Sequence, residues 1–204
     1  MNQFNNIYRS QRLDGGGAYH IYSAILTVEL ALYLSKQTAC KIGIVCPYMT
    51  QATLVEKMIA AQTEPQKIVT GTVHRFQGDE FDIILNLLNA PPQISPNIFL
   101  NKQNILNVAI SRAKDYLILI IPDIGGLDKI KRLETILKRD EIKPYYQEFT
   151  AAEIEKIIFK QANYIDDNAF IVAHQKVNVY AKAVKKYEIR MDDKAVDIQL
   201  DVQS

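Results

Sequence analysis

The chain has 204 residues, of which 48% are hydrophobic, enough for one domain of ordinary size plus an appendage. Its 24 lysines and arginines nearly balance 23 aspartates and glutamates, so the net charge of +1 excludes a globally basic protein. Two cysteines are too few for a disulfide framework, and no apolar run reaches the roughly 20 residues of a membrane span. With a polar start that does not resemble a signal peptide, we expect a cytoplasmic protein without membrane association.

The first 122 residues predict an α/β domain. Residues 1–20 are polar and glycine-rich, which predicts a flexible lead-in. From residue 21 to residue 122, helical patterns alternate with apolar runs that are typical of buried strands. Such alternation favours a mostly parallel sheet with helices on both faces. The predicted helices cover 21–36, a segment capped by Thr50, and a segment around 106–113; the predicted strands cover 42–46, 67–73, 83–88 and 116–121.

The pattern changes after Pro122, where we place a domain boundary. Residues 123–204 predict a small α+β appendage with two helices, one of them starting at a capping box formed by Thr150 and Glu153. Strict alternation of apolar and polar residues then predicts antiparallel strands joined by a turn at residues 192–194. The expected result is a β-hairpin or meander with one solvated face.

Three polar loops follow predicted strands or helices of the α/β domain, and we expect them to face one crevice at the carboxyl ends of the strands. They are residues 46–51, residues 71–82 and residues 106–114. Taken singly, each has a simple structural explanation. The first could be an ordinary strand-to-helix turn, the second a polar crossover, and the third a helix whose last turn holds Arg112 and Lys114 because the helix dipole favours cations there.

Together and in this order, the loops carry more information. The motifs Val-Cys-Pro-Tyr-Met-Thr-Gln, Gly-Thr-Val-His-Arg-Phe-Gln-Gly-Asp-Glu-Phe-Asp and Leu-Asn-Val-Ala-Ile-Ser-Arg-Ala-Lys closely resemble the late motifs of superfamily 1 helicases. The similarity is to the group of RNA-surveillance and Okazaki-fragment-processing helicases, and it covers residues 21–122. It implies a RecA-like fold, namely the second of two motor domains, with ATP and Mg²⁺ bound in the cleft against the first.

The resemblance also implies roles for individual residues. Arg112 would be the catalytic arginine finger on the γ-phosphate. The nucleotide would be bound by Gln77, Gly78, Glu80 and Arg112, with Glu80 reaching the ribose. A track for single-stranded DNA or RNA would be lined by Pro47, Tyr48, Gln51, Thr72, Val73 and His74. The resemblance favours travel from 5′ to 3′ and leaves the choice between DNA and RNA open.

Equally informative is what the sequence lacks. It contains no Gly-x-x-x-x-Gly-Lys-Ser/Thr phosphate loop, and no predicted strand ends in a carboxylate pair that could hold magnesium. We therefore assign no metal site, expect Mg²⁺ and the triphosphate to be held mainly by a first motor domain in cis or in trans, and expect the chain alone to be inactive.

Two other functions are compatible with parts of the sequence. A non-catalytic, helicase-derived module could bind nucleic acid or a protein through the appendage, whose residues 174–186 are mildly basic and aromatic. A metal-dependent nuclease would use Asp79, Glu80 and Asp82 with His74, although three acids on one loop still need a further ligand and a positioned base.

Overall fold

The computed structural model describes residues 11–12, 17–62, 67–89, 102–121, 130–167, 169–173, 176–181, 185–191 and 196–202. The elements up to residue 121 are β1 (Gln11–Arg12), β2 (Ala18–Tyr19), α1 (Ile21–Gln37), β3 (Ile42–Cys46), α2 (Met49–Ala60), β4 (Ile68–Thr72), a 3₁₀ turn (Val73–Phe76), β5 (Phe81–Leu87), α3 (Gln103–Ile110) and β6 (Ala113–Ile120). No helix in the described ranges combines the length and apolar character that crossing a bilayer requires.

Four of these strands form the predicted parallel sheet. Its order is β4-β3-β5-β6, and every neighbouring pair runs parallel. Ile42 at the start of β3 lies beside Ile68 of β4 and Ile83 of β5. Branched side chains fill these strands because both faces of the sheet are covered. The mostly parallel α/β fold is thus confirmed.

Alternate residues of the strands supply two separate cores. Ile44 and Leu85 point to the face that α1 and α2 cover, while Val45 and Ile84 point to the face that the 3₁₀ turn and α3 cover. This period of two is the geometry of a pleated strand. The predicted placement of helices on both faces is confirmed.

The structure differs from the sequence expectation at three element ends. The packed part of the chain begins before Ile21, since Ala18, Tyr19 and His20 are buried. His20 caps α1, its Nδ1 accepting a hydrogen bond from the Ser23 N–H at 3.1 Å. Helix α2 begins at Met49 with Tyr48 as its N-cap. The predicted cap Thr50 therefore lies inside the first turn, next to Gly17.

The third difference concerns Arg112 and Lys114, which were expected in the last turn of a helix. Helix α3 ends at Ile110 with Ser111 as its C-cap. Ala113 already pairs with Phe81 in the sheet, so Lys114 belongs to β6 and Arg112 to the turn before it. Competition from strand pairing shortens the helix.

The remaining elements form the predicted α+β part. They are α4 (Lys131–Leu137), a 3₁₀ turn (Lys143–Tyr145), α5 (Ala151–Phe159), α6 (Tyr164–Asp167), β7 (Ala169–Ala173), β8 (Lys176–Ala181), β9 (Lys185–Met191) and β10 (Val196–Val202). Both halves of the capping box at Thr150 and Glu153 are present. The four strands form an antiparallel meander in the order β10-β9-β8-β7, and the pairing of Met191 with Val196 confirms the predicted hairpin. The turn at 192–194 lies outside the described residues.

Helix α5 packs directly on α1. Ile158 and Ile165 are buried in the same hydrophobic cluster as α1, and Tyr22 of α1 donates a hydrogen bond to the carboxylate of Glu155. Glu155 is only 1% exposed, and its other oxygen accepts from the Ile165 N–H at 3.0 Å. The boundary near residue 122 stays a prediction, but the apolar core continues across it.

Candidate functional site

One short segment, residues 73–80, crosses the sheet from one edge to the other. Thr72 lies beside Cys46 on the side of the sheet where the strands end, which we call the carboxyl edge. Phe81 begins β5 on the opposite side, where the strands start, which we call the amino edge. It precedes by two residues Ile83, which pairs with Ile42 at the start of β3. Five strand residues separate the two edges by about 15 Å. The expectation of one crevice at the carboxyl ends is therefore wrong. Because parallel strands need a return connection, a loop that follows β4 must come back to the start of β5.

Residues at the amino edge form a charged group that we call the amino rim: Lys41, Glu80, Arg112 and Lys114. Glu80 pairs with Lys114 at 3.4 Å between Oε2 and Nζ. The Phe81 N–H donates to the Arg112 carbonyl at 3.0 Å, which fixes the turn carrying Arg112 beside the end of the 73–80 segment. The structure thus brings Glu80 and Arg112, both predicted to bind the nucleotide, to one rim.

Lys41 anchors this rim, although no local sequence pattern marks it. Its backbone N–H donates to the Asp82 carboxylate at 2.7 Å, and its carbonyl accepts from the Asp82 and Ile83 N–H groups at 3.0 and 3.2 Å. Its ammonium donates to the Glu80 carbonyl at 3.3 Å and lies 4.1 Å from the centre of the Phe81 ring. These contacts fix the point at which the 73–80 segment enters β5. Only the spatial adjacency of β3 and β5 could have revealed them.

Arg112 is half-buried and forms no salt bridge with any described residue. Its guanidinium donates to the Ser111 hydroxyl at 3.1 and 3.4 Å. A guanidinium held by one neutral partner keeps donors free for an anion, and its fork geometry suits phosphate. The amino rim therefore has the chemistry to bind a phosphorylated ligand.

Gln77 and Gly78 lie on the exposed turn that leads to the amino rim. The Gln77 N–H donates to the His74 carbonyl at 3.3 Å and ends the 3₁₀ turn. Gly78 has φ of +89°, a conformation that side chains other than glycine rarely adopt, and no atom lies within 4 Å of the position that a Cβ would take. The turn leaves open space beside the rim.

The predicted track residues lie at the carboxyl edge or in the adjoining 3₁₀ turn, with unequal exposure. His74 is exposed, and Tyr48 and Thr72 are half-buried. Pro47, Gln51 and Val73 are buried. The Gln51 amide accepts from the His20 N–H at 2.6 Å and donates to the His20 carbonyl at 3.5 Å, so it joins α2 to the start of α1.

Tyr48 and Met49 are neighbours at the carboxyl edge and differ in exposure. The Tyr48 ring packs against the cluster of Leu88 and Leu106, and burial raises the pKa of its phenol to about 12. Met49, in contrast, is 68% exposed. The sequence predicts Tyr48 in the nucleic-acid track but not Met49, whose exposure depends on where α2 begins.

A salt bridge connects the 73–80 segment with α2. The Arg75 guanidinium meets the Glu56 carboxylate at 3.0 Å. The stem of Arg75 lies on Gly71, where a Cβ would come within 2.4 Å of the Arg75 Cδ. The segment is therefore held at both ends and also at its middle.

Two of the three acids of the nuclease interpretation have separate partners. The Asp82 carboxylate is bonded to the Lys41 backbone, and Glu80 pairs with Lys114. Within the described ranges, no group of three or more His, Cys, Asp or Glu side chains is arranged to hold a metal ion. His20 serves as a helix cap, and His174 lies outside the described residues.

A known protein family covers the region that carries these loops. The sequence profile described as "AAA domain" matches residues 20–123, just over half of the chain. The chain belongs to the AAA-domain family. This family is one of superfamily 1 helicases, so the matched region of this AAA domain is a helicase-related domain with all three polar loops inside it.

Curated relatives point to the same region. The chain is 28% identical over 138 residues to the bovine DNA replication ATP-dependent helicase/nuclease DNA2, covering 65% of the chain and 13% of the bovine protein. It is 35% identical over 104 residues to the probable RNA helicase armi of Drosophila melanogaster, covering 47% of the chain and 8% of that protein. It is 39% identical over 105 residues to replicase polyprotein 1ab of Alphamesonivirus 1, covering 49% of the chain and 2% of the polyprotein. The chain thus spans a small part of each relative.

Proposed function

We propose that this AAA domain is the second motor half of an ATP-dependent superfamily 1 helicase or translocase. The observation that carries the proposal is the amino rim, where the Arg112 guanidinium has no acidic partner among the described residues and the turn that carries it is bonded to Phe81, the residue after Glu80 of the Glu80–Lys114 pair. The 73–80 segment joins this rim to the carboxyl edge. One element that contacts two ligand sites is the physical basis for coupling them.

The rim residues fit one side of a nucleotide. Arg112 would contact the γ-phosphate, Glu80 the ribose, and Gln77 and Gly78 would approach the nucleotide through the exposed turn. When bound, ATP supplies a phosphoryl group whose transfer develops negative charge. The Phe81–Arg112 backbone hydrogen bond fixes the turn that carries Arg112, and the guanidinium would stabilise that charge. Mg²⁺ and the remaining phosphate contacts would come from a first RecA-like motor domain, in cis or in trans.

The carboxyl edge would bind single-stranded DNA or RNA. His74 and Met49 are exposed there, and Tyr48 and Thr72 are half-buried. Hydroxyl, imidazole and thioether groups suit contacts with sugar, phosphate and base faces more than base-edge reading, so we expect little sequence specificity. The buried Gln51, Pro47 and Val73 would shape this edge, while contact with the strand would fall to their exposed neighbours. We place the working enzyme in the cytoplasm.

Replacement of Arg112 tests the motor function. In the complete motor, formed with the first motor domain, Arg112→Ala is expected to lower the rate of nucleic-acid-stimulated ATP hydrolysis by about 10³-fold or more. Binding of single-stranded nucleic acid, measured by fluorescence anisotropy, should change little, because Arg112 lies at the opposite edge of the sheet. The matched control is Arg132→Ala, which removes an exposed arginine from α4. The chain alone should show negligible turnover.

Two results would contradict the proposal. Robust, nucleic-acid-stimulated ATP turnover by the isolated chain would show that the rim is not half of a site. Full hydrolysis by the Arg112→Ala motor, with nucleic-acid binding intact, would favour a non-catalytic binding module instead.

A further inference from the structure

Helix α5 carries an apolar surface that its packing on α1 does not use. Ile158 on its inner side is buried in the core shared with α1. On its outer side Ile157 is 42% exposed, and Phe149, just before the helix, is 57% exposed. A helix that is anchored on one side gains no stability from a second apolar side, so such a surface is typical of an interaction site.

These two side chains belong to a groove of about 480 Å³, which we call the outer α5 groove. Its lining residues are Phe149, Glu153, Lys156, Ile157 and Lys160. Their spacing along the chain follows the helical repeat, so the groove runs lengthwise along one side of α5. The groove can therefore accept a short stretch of an extended or helical peptide.

The groove is positively charged where a ligand could reach it. Lys156 and Lys160 are exposed, and neither forms an ion pair with any described residue. Lys160 donates to the Ile157 carbonyl at 3.1 Å, which keeps its ammonium at the end of the helix. The Glu153 carboxylate is occupied by the helix cap, where it accepts from the N–H and the hydroxyl of Thr150 at 2.7 and 2.8 Å.

We propose that the outer α5 groove docks a partner protein through a short acidic peptide. An apolar side chain of that peptide would contact Phe149 and Ile157, and its carboxylates would pair with Lys156 and Lys160. Charge complementarity favours an acidic ligand, and a carboxylate can approach the two lysines without displacing Glu153 from the cap. A nucleic-acid strand fits less well, because the groove offers one aromatic ring and an aliphatic floor instead of successive rings for base stacking.

A peptide-binding experiment with the full chain tests this proposal. The probe is a fluorescein-labelled peptide in which leucines alternate with aspartates and glutamates, followed by fluorescence polarisation. A second peptide has every acid replaced by lysine. We expect the acidic peptide to bind and the basic one not to, with affinity that falls as salt is raised.

Variants locate the binding surface. The Lys156→Glu/Lys160→Glu pair should weaken binding of the acidic peptide by about tenfold or more and allow the basic peptide to bind. Phe149→Ala should weaken it while leaving the urea midpoint unchanged, because the side chain is exposed. The matched control is Arg132→Glu/Arg139→Glu, which makes the same change of net charge on exposed positions near α4 and should leave binding intact.

Several outcomes would overturn the proposal. These are equal binding of the acidic and basic peptides, equal losses in the groove and control variants, and binding of single-stranded oligonucleotide that competes with the acidic peptide at this groove. Sedimentation that shows a dimer broken by the groove variants would assign the surface to a second copy of the chain instead.

Discussion

Individual residues decide how closely the 73–80 segment approaches the sheet, and Gly43 of β3 is the clearest case. A Cβ at this position would lie 2.6 Å from Ile84 Cδ1 and 2.7 Å from Phe76 Cε1. Both side chains are fully or almost fully buried, so neither can move aside. The absence of a side chain at Gly43 is what lets Phe76 seat against the strand.

We predict that Gly43→Ala destabilises the chain by about 2 to 3 kcal/mol, because overpacking forces Phe76 or Ile84 away from its place. The comparison variant is Gly78→Ala, which meets no atom within 4 Å but needs φ of +89°. It should cost only about 1 kcal/mol. Urea unfolding followed by circular dichroism measures both. A smaller loss at Gly43 than at Gly78 would contradict the tight packing of Phe76 and Ile84 against Gly43.

Gln51 illustrates what the sequence cannot reveal at this scale. A polar residue near the start of a helix, inside a helicase-like motif, is expected to be exposed and to contact nucleic acid. In the structure it is buried and pairs with the backbone of His20, 31 residues earlier in the chain. Because that partner is distant in sequence, local patterns contain no signal for the contact.

Among the secondary-structure elements, helix α5 has an N-terminal cap whose contribution to stability depends on pH. Its capping box uses the Glu153 carboxylate, and the hydrogen bonds from Thr150 lower the pKa of that carboxyl from 4.5. A lowered folded-state pKa contributes stability above the unfolded value, and this contribution is lost as pH falls through the folded value.

We therefore predict that Glu153→Gln lowers the free energy of unfolding at pH 7 and that the difference from the wild type shrinks below about pH 4.5. Urea unfolding at pH 7 and pH 3 measures the change. The control is Glu148→Gln, an exposed acid that makes no hydrogen bond among the described residues. Thr150→Ala, which removes the cap itself, should cost about 1 kcal/mol. A Glu153→Gln deficit that is equal at both pH values would refute the charge-based explanation.

Most elements were predictable because they depend on local patterns. A few neighbouring residues are enough to predict each of them, as in the branched runs of β3 and β5 and the capping box of α5. The edge of the sheet at which each loop lies was not predictable, since it depends on strand order and register. The end of α3 before Arg112 was not predictable for the same reason. It depends on the pairing of Ala113 with Phe81, which is distant in sequence.

For the whole molecule, the buried carboxylate of Glu155 joins the appendage to the sheet domain. It accepts hydrogen bonds from Tyr22 of α1 and from the Ile165 backbone. Composition and the break after Pro122 predict two units, but Ile158 and Ile165 lie in the core of the first. We infer that α1 and α5 unfold together.

Glu155→Ala should lower the free energy of unfolding by about 2 to 3 kcal/mol, because two buried hydrogen bonds lose their acceptor. Hydrogen exchange should then accelerate in both α1 and α5. Glu155→Gln keeps one acceptor oxygen and should have a smaller effect. Faster exchange confined to α5, with α1 unchanged, would show that the appendage opens independently.

The crossing of residues 73–80 has a consequence for anyone who would alter or transplant it. β3 and β4 are each five residues long, and the segment connects one end of such strands to the other through a 3₁₀ turn and one exposed turn. Substitutions on its exposed side should therefore be tolerated, whereas an insertion or deletion would shift the amino rim relative to the carboxyl edge. The length of this short bridge, more than its composition, is the dimension that an engineered or chimeric motor would have to preserve.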